Sequence, residues 1–184
     1  MSNASENLLR QAFQARQEKR LDDARRNLVD AVDLCRQAGA QADLAKALTG
    51  LGQIERDLNH LDAARRHYEE AVAIYRAEGD ALKLAHAVRH LADIHRHAGH
   101  VELAEPCYHE ALDLCRGSTQ TSPLELANAI RGLAILKGDA GEAAQARQLW
   151  AEARDLYAAV EVRAGVAEAS RRLAGLTEKR GPAE

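Results

Sequence analysis

One self-similarity constrains this chain more than any other feature: its 184 residues repeat at steps of 40 to 42. The segments Leu21–Ala31, Leu61–Ala71 and Val101–Ala111 share their small, apolar and charged positions, and Ala143–Ala153 is a weaker fourth copy. Ala24, Ala64, Ala104 and Ala146 recur on one position, and Ala31, Ala71, Ala111 and Ala153 on another. Between them lies a second unit, in which Leu51, Leu91, Leu133 and Leu173 are each followed by a small residue: Gly52, Ala92, Ala134 and Ala174. Ala12 continues that register into a degenerate first copy. A period of this length means stacked supersecondary units, because no unit buries its apolar face alone.

Each unit reads as two helices. Leu48, Leu51 and Gly52, then Leu61, Ala64, Tyr68, Ala71 and Tyr75, keep the i, i+3, i+4 spacing of a helical face. Composition agrees. Ala and Leu supply 62 of 184 residues and only six are aromatic, which suits helices and excludes a β-sandwich. Asn59, Gly99 and Gly141 stand where first helices end, and Gly39 and Gly79 where second helices end. Ser122-Pro-Leu-Glu125 is a capping box with Pro at the first helical position. Pro106 falls inside an expected helix, so that helix is expected to start late or kink. The small residues let paired helices approach closely, and Tyr68, Tyr108 and Trp150 fill the space against the next unit.

Several functions are excluded or left without support. A net charge of −3 argues against a nucleic-acid binder. No apolar run is long enough to span a membrane, and the N-terminus lacks a signal-peptide pattern, so a cytoplasmic location is expected. Three cysteines without paired spacing give neither a disulfide framework nor a zinc knuckle; Cys35 and Cys115 occupy the core position of Tyr75 and Tyr157. No phosphate loop, nucleophile elbow or Cys–His arrangement occurs, so neither an enzyme nor a cofactor is expected.

Leu91, Ala92, Gly99, Ala104, Tyr108 and Ala111 resemble the tetratricopeptide repeat, over roughly residues 5–181. The long period resembles the extended subclass of kinesin light chains, cell-polarity adaptors and bacterial regulators. The usual Pro after the second helix is absent, as longer helices require. The resemblance implies an all-α, right-handed solenoid of about nine helices in a single repeat domain over 1–184. Its repeats would span 5–44, 45–84, 85–126 and 127–166, with a capping helix at 167–181. The first inner helix, Leu8 to Arg16, carries Gln11 where the others have Leu, as an exposed cap would. The resemblance also implies a groove, lined by the first helices, that binds a peptide of another protein.

The polar residues placed on that groove are mostly basic. Arg10, Arg16, Lys46, Arg56, Arg89, Arg96, Arg131, Arg171, Arg172 and Lys179 face Glu6, Asp57, Asp93, Asp139, Glu168 and Glu178, a net +4 in a chain of net −3. Arg89, Arg131 and Arg171 form one ladder, Arg16, Arg56 and Arg96 another. Guanidinium groups at repeat spacing suit the carboxylates of an acidic peptide. The candidate contacts are Lys46, Arg56, His86, Arg89, His90, Arg96, His97, Asn128, Arg131 and Arg171. Leu9, Phe13, Gly50, His86 and His90 stand where chaperone-binding members carry a Lys and Asn clamp, so that clamp is not expected. Two alternatives are self-association as a homodimer through the weakly patterned end, Ala143–Leu176, and a metal- or small-molecule-responsive sensor. The sensor would use the stripe His86, His90, Asp93 and His97, although the adjacent Arg89 and Arg96 disfavour a cation.

Overall fold

The computed structural model describes residues 3–178, and among them the chain forms nine α-helices and no strand. They are α1 (Asn3–Gln17), α2 (Leu21–Ala38), α3 (Gln41–Asp57), α4 (Leu61–Glu78), α5 (Ala81–His97), α6 (Val101–Gly117), α7 (Pro123–Asp139), α8 (Ala143–Ala159) and α9 (Arg163–Glu178). Two compact units arise: unit 1, Met1–Ile94, and unit 2, His95–Glu184. In unit 1, α1 packs on α2, α2 on α3 and α3 on α4. In unit 2, α6 packs on α7, α7 on α8 and α8 on α9. Short turns make sequence neighbours antiparallel, so the architecture is an all-α stack of helix pairs of the solenoid type.

Turn chemistry sets the helix ends. Gly39, Asn59, Gly79, Gly99 and Gly141 all have positive φ, as the sequence predicts. At Gly39 the closing bonds are explicit: its N–H donates to the Arg36 carbonyl (3.2 Å) and Ala40 N–H to that of Cys35 (3.0 Å). Lys19 and Glu161 hold the same place in the first and last turns with φ of 60° and 57°. A side chain there costs about 1–2 kcal/mol. The longer connection before α7 ends in the expected capping box, with Glu125 N–H donating to Ser122 Oγ (3.2 Å) and Ser122 N–H to Glu125 Oε2 (3.1 Å).

Two expectations need correction. α6 does not start late: it begins at Val101, in the same place as its counterparts, with Pro106 inside it. Pro106 and Glu102 are both exposed, so water can serve the Glu102 carbonyl that the missing N–H leaves open. α1 is longer than Leu8–Arg16, beginning by Asn3. Gln11 is exposed, as a capping helix allows.

The core is one contact repeated with different residues. The outer-helix position of Leu28, Tyr68, Tyr108 and Trp150 meets the next inner helix at Gly50, His90, Gly132 and Arg172. Tyr68 stacks on His90 with ring centroids 5.3 Å apart. Tyr108 lies against Gly132, where any Cβ would collide with its ring. The Arg172 guanidinium stands 5.9 Å from the Trp150 ring centroid. Tyr68, Tyr108 and Trp150 are fully buried, as are Ala64, Ala71, Ala104, Ala111, Ala146 and Ala153 at the close-approach positions. Cys35 and Cys115 are buried and form no disulfide.

Candidate functional site

Unit 1 contains a groove of about 440 Å³ between α1 and α3. Leu9, Phe13, Leu28, Gly50 and Ile54 give it an apolar floor; Arg10, Arg16 and Lys46 are basic, Glu6 acidic. The groove exists because two positions are small for their place in the repeat. Leu28 stands where other units have Tyr or Trp, and Gly50 where unit 1 later has His90. Phe13 is 65% exposed, a large apolar side chain left in solvent on an inner helix. Sequence reasoning used Leu9, Phe13 and Gly50 only to reject a chaperone clamp. The available signal was that Phe13 is the one aromatic residue off the two buried aromatic positions of the repeat.

The basic residues are less free than their spacing suggests. Arg16 donates to Asp57 (2.9 Å) and to the Gln53 side-chain carbonyl (3.1 Å). Arg56 comes within 4.0 Å of Asp93, and Arg89 within 3.5 Å of the same carboxylate. In unit 2, Arg96 donates to the Tyr108 hydroxyl (3.3 Å) and lies 4.0 Å from Asp139. Arg131 makes a bidentate pair with Glu168 (2.7 and 2.8 Å). Asn128 accepts from the Tyr157 hydroxyl (2.8 Å). The two ladders are therefore largely ion pairs between successive inner helices, not rows of bare guanidinium groups. Lys46, Arg10 and Arg171 are exposed. Lys179 lies outside the described residues.

The histidine stripe divides. His97 is exposed beside Arg96, whose Nη2 is 2.9 Å from His97 Nε2. His86 is half-buried and meets His90 edge-on, with centroids 4.6 Å apart. His90 is not the solvated residue its spacing implies: it is 4% exposed, under Tyr68. Arg56 Nη1 lies 2.6 Å from His90 Nδ1 and Arg89 Nη2 3.0 Å from Nε2. Burial, with the neighbouring arginines adding to it, pushes the His90 pKa down to about 3, so the ring is neutral. Guanidinium groups at both ring nitrogens repel a cation, and no group of three or more His, Cys, Asp or Glu among the described residues could hold a metal ion. Among the described residues no helix is long and apolar enough to cross a membrane.

Comparison with known families places this geometry. Residues 4–77 match the family described as tetratricopeptide repeat, and residues 85–140 match that of anaphase-promoting complex subunit 5. No curated protein matches significantly. The matches speak to the family and not to the extended subclass that the period resembles. Residues 4–77 run from Ala4 in α1 to Ala77 in α4 and hold the groove, and the same register of small and aromatic positions continues into unit 2. The chain belongs to the tetratricopeptide repeat family, a class of protein–protein interaction scaffolds.

Proposed function

We propose that the chain binds a peptide segment of another protein on the inner-helix face of unit 1. The segment seats one apolar side chain over Leu9, Phe13 and Gly50 and sets acidic neighbours against Lys46 and Arg10. The observation that carries this reading is the groove itself: an apolar floor beneath a rim with three basic groups and one acidic one. Apolar burial supplies affinity, and the basic rim selects and steers. Selecting peptides from a randomised display library against the full chain tests it. Enriched sequences are expected to place Asp or Glu beside an aromatic or aliphatic residue. Their affinity should fall at least tenfold with Lys46→Glu or Phe13→Ala, and it should weaken as salt rises. Binders that lack acidic residues, or that ignore both substitutions, contradict it.

A second reading, self-association, is favoured by one feature of α9. Ala167 and Ser170 are exposed, whereas their counterparts Ala45 and Leu48, and Ala127 and Ile130, are buried. A mass that rises along a concentration series supports it, and a constant monomer mass rejects it.

A further inference from the structure

We propose that the groove of unit 1 is a ring site: it takes one aromatic side chain of the peptide in preference to an aliphatic one. This rests on the peptide reading above and names the apolar residue the ligand brings. Among the described residues, the outer-helix layer meets the next inner helix at four junctions, and three hold a ring of the chain's own on the outer helix. Tyr68 stacks on His90, the Tyr108 ring lies against Gly132, and Trp150 stands under the Arg172 guanidinium. The junction of α2 and α3 has Leu28 in place of the ring and Gly50 in place of His90. A Cβ on Gly50 would stand 2.9 Å from Leu28 Cδ2, so the leucine methyl groups reach this helix and end there. A tyrosine or tryptophan continues past that depth. The place so left open is the floor of the groove, which Leu28, Gly50 and Ile54 line.

The wall over this floor has changed in the same sense. On the inner helices that follow α1, the position of Leu9 reads Thr49, Arg89, Arg131 and Arg171. That of Phe13 reads Gln53, Asp93, Ile135 and Gly175. Only α1 carries a large apolar residue at both. A first helix that merely closed the stack would turn polar residues to water. Instead Phe13 is 65% exposed and lines the groove beside Leu9. A ring missing from the layer, a side chain missing at Gly50 and a ring added at Phe13 all fall on one groove.

A ligand ring suits this arrangement for two reasons. It restores the buried aromatic surface that Tyr68, Tyr108 and Trp150 supply at the other junctions. It also pairs with the Phe13 ring, offset or edge to face, a gain beyond area burial that an aliphatic side chain lacks. The rim works in the same direction. Arg10 and Lys46 offer cations to the face of a bound ring, the pairing that Arg172 makes with Trp150. The same two groups meet the acidic neighbours of that ring, so one side chain and its flanks engage one groove.

Three probes test this on the full chain: the synthetic peptides Glu-Glu-Phe-Glu-Glu and Glu-Glu-Leu-Glu-Glu, and indole, a free ring without a peptide. Calorimetry reads peptide affinity, and the amide signals of Phe13 and Gly50 report occupancy. The phenylalanine peptide is expected to bind about fivefold more tightly than the leucine peptide. Leu28→Tyr sets over Gly50 the ring that Tyr108 sets over Gly132. It should unfold at no lower a temperature than wild type and bind the phenylalanine peptide about tenfold more weakly. If Leu28→Tyr unfolds earlier, Phe13→Gln, at an exposed position, carries the test by bringing the two peptides to equal affinity. If indole moves the two signals, and Leu28→Tyr or Phe13→Gln removes that response, while neither peptide binds, the ring site stands and the peptide reading falls. If both peptides bind wild type equally well, the peptide reading stands and the ring site is overturned. Undiminished binding of the phenylalanine peptide to both variants, or no response to any probe, overturns the ring site as well.

Discussion

In unit 1 a buried carboxylate, Glu55, lies between Arg25 Nε at 2.6 Å and His60 Nδ1 at 2.7 Å. In unit 2 the same repeat position holds Lys137, with Glu105 at 2.5 Å and Glu142 at 3.0 Å. The three places correspond one to one: outer helix, next inner helix, following turn. Only the charges are reversed. In each unit the buried charge is tied to a group on the preceding outer helix, so it locks one pair to the next. Burial pushes the Glu55 pKa up, but hydrogen bonds from Arg25 and His60 outweigh it and hold the carboxyl below its ordinary value. Hydrogen bonds to Glu105 and Glu142 raise that of Lys137. The repeats thus share a backbone solution while their interiors are not interchangeable.

The sharpest way to break this comparison is to reverse one charge. Glu55→Lys sets a buried Lys against the Arg25 guanidinium and is expected to cost about 3–5 kcal/mol in chemical denaturation. Adding Arg25→Glu recreates the Glu105–Lys137 arrangement and should recover much of the loss. Failure of the pair to recover anything would show that the charges act independently.

Acid should separate the units next. His90 is neutral with a folded pKa near 3, below its unfolded value of about 6.5, so the unfolded chain takes up its proton first. That stability is present above pH 6.5 and is lost as pH falls, by about 2 kcal/mol at pH 5. His67, lowered chiefly by burial, adds in the same direction. In unit 2, Glu105 is held low chiefly by its hydrogen bond to Lys137, so its contribution is present above about pH 4.5 and fades only below it. Hydrogen exchange from pH 7 to 5 should show amides of α3–α4 losing protection, and His90→Gln should flatten that slope.

Glycine substitutions give a smaller contrast, of opposite sign in the two units. A Cβ at Gly132 strikes the fully buried Tyr108 ring, so Gly132→Ala should destabilise by about 1–2 kcal/mol. At Gly50 the obstacle is the Leu28 Cδ2 methyl at 2.9 Å, a flexible end that can turn aside. Gly50→Ala is therefore expected to be neutral or to stabilise slightly through helix propensity. Smallest of all, Tyr108→Phe should lose about 1 kcal/mol with the Arg96 hydrogen bond, while Tyr68→Phe should lose nothing. Denaturation midpoints of the four variants check both contrasts.

The fold was legible because its positions tolerate little variation. A 40-residue step shows whenever close-approach positions admit only Gly or Ala and one layer admits only bulky groups, as Ala64, Ala71 and Tyr68 and their copies do. The charged interior was not legible by the same route. Glu55, His95 and Lys137 share one position, and nothing about Glu, His and Lys in a column announces burial. His90 misled because its spacing from His86 and Asp93 describes a helical face, whereas burial depends on what the preceding outer helix presents. Its counterparts Gly50 and Gly132 carried that information, since both are contact positions under a bulky side chain. The arginine ladders read as open because their partners lie on the next inner helix, 37 to 43 residues on, as with Arg131 and Glu168, or Arg96 and Asp139. The groove was half legible: its charged residues Glu6, Arg10, Arg16 and Lys46 were placed on the inner-helix face in advance, its apolar floor was not.

Peptide recognition by unit 1 is the central claim, and amide chemical-shift mapping tests it most directly. Glu-Glu-Phe-Glu-Glu titrated into the full chain should perturb Leu9, Phe13, Lys46, Gly50 and Gln53 most, with shifts that shrink as salt rises. Largest shifts in α7 to α9, or no shifts at saturating peptide, would contradict it.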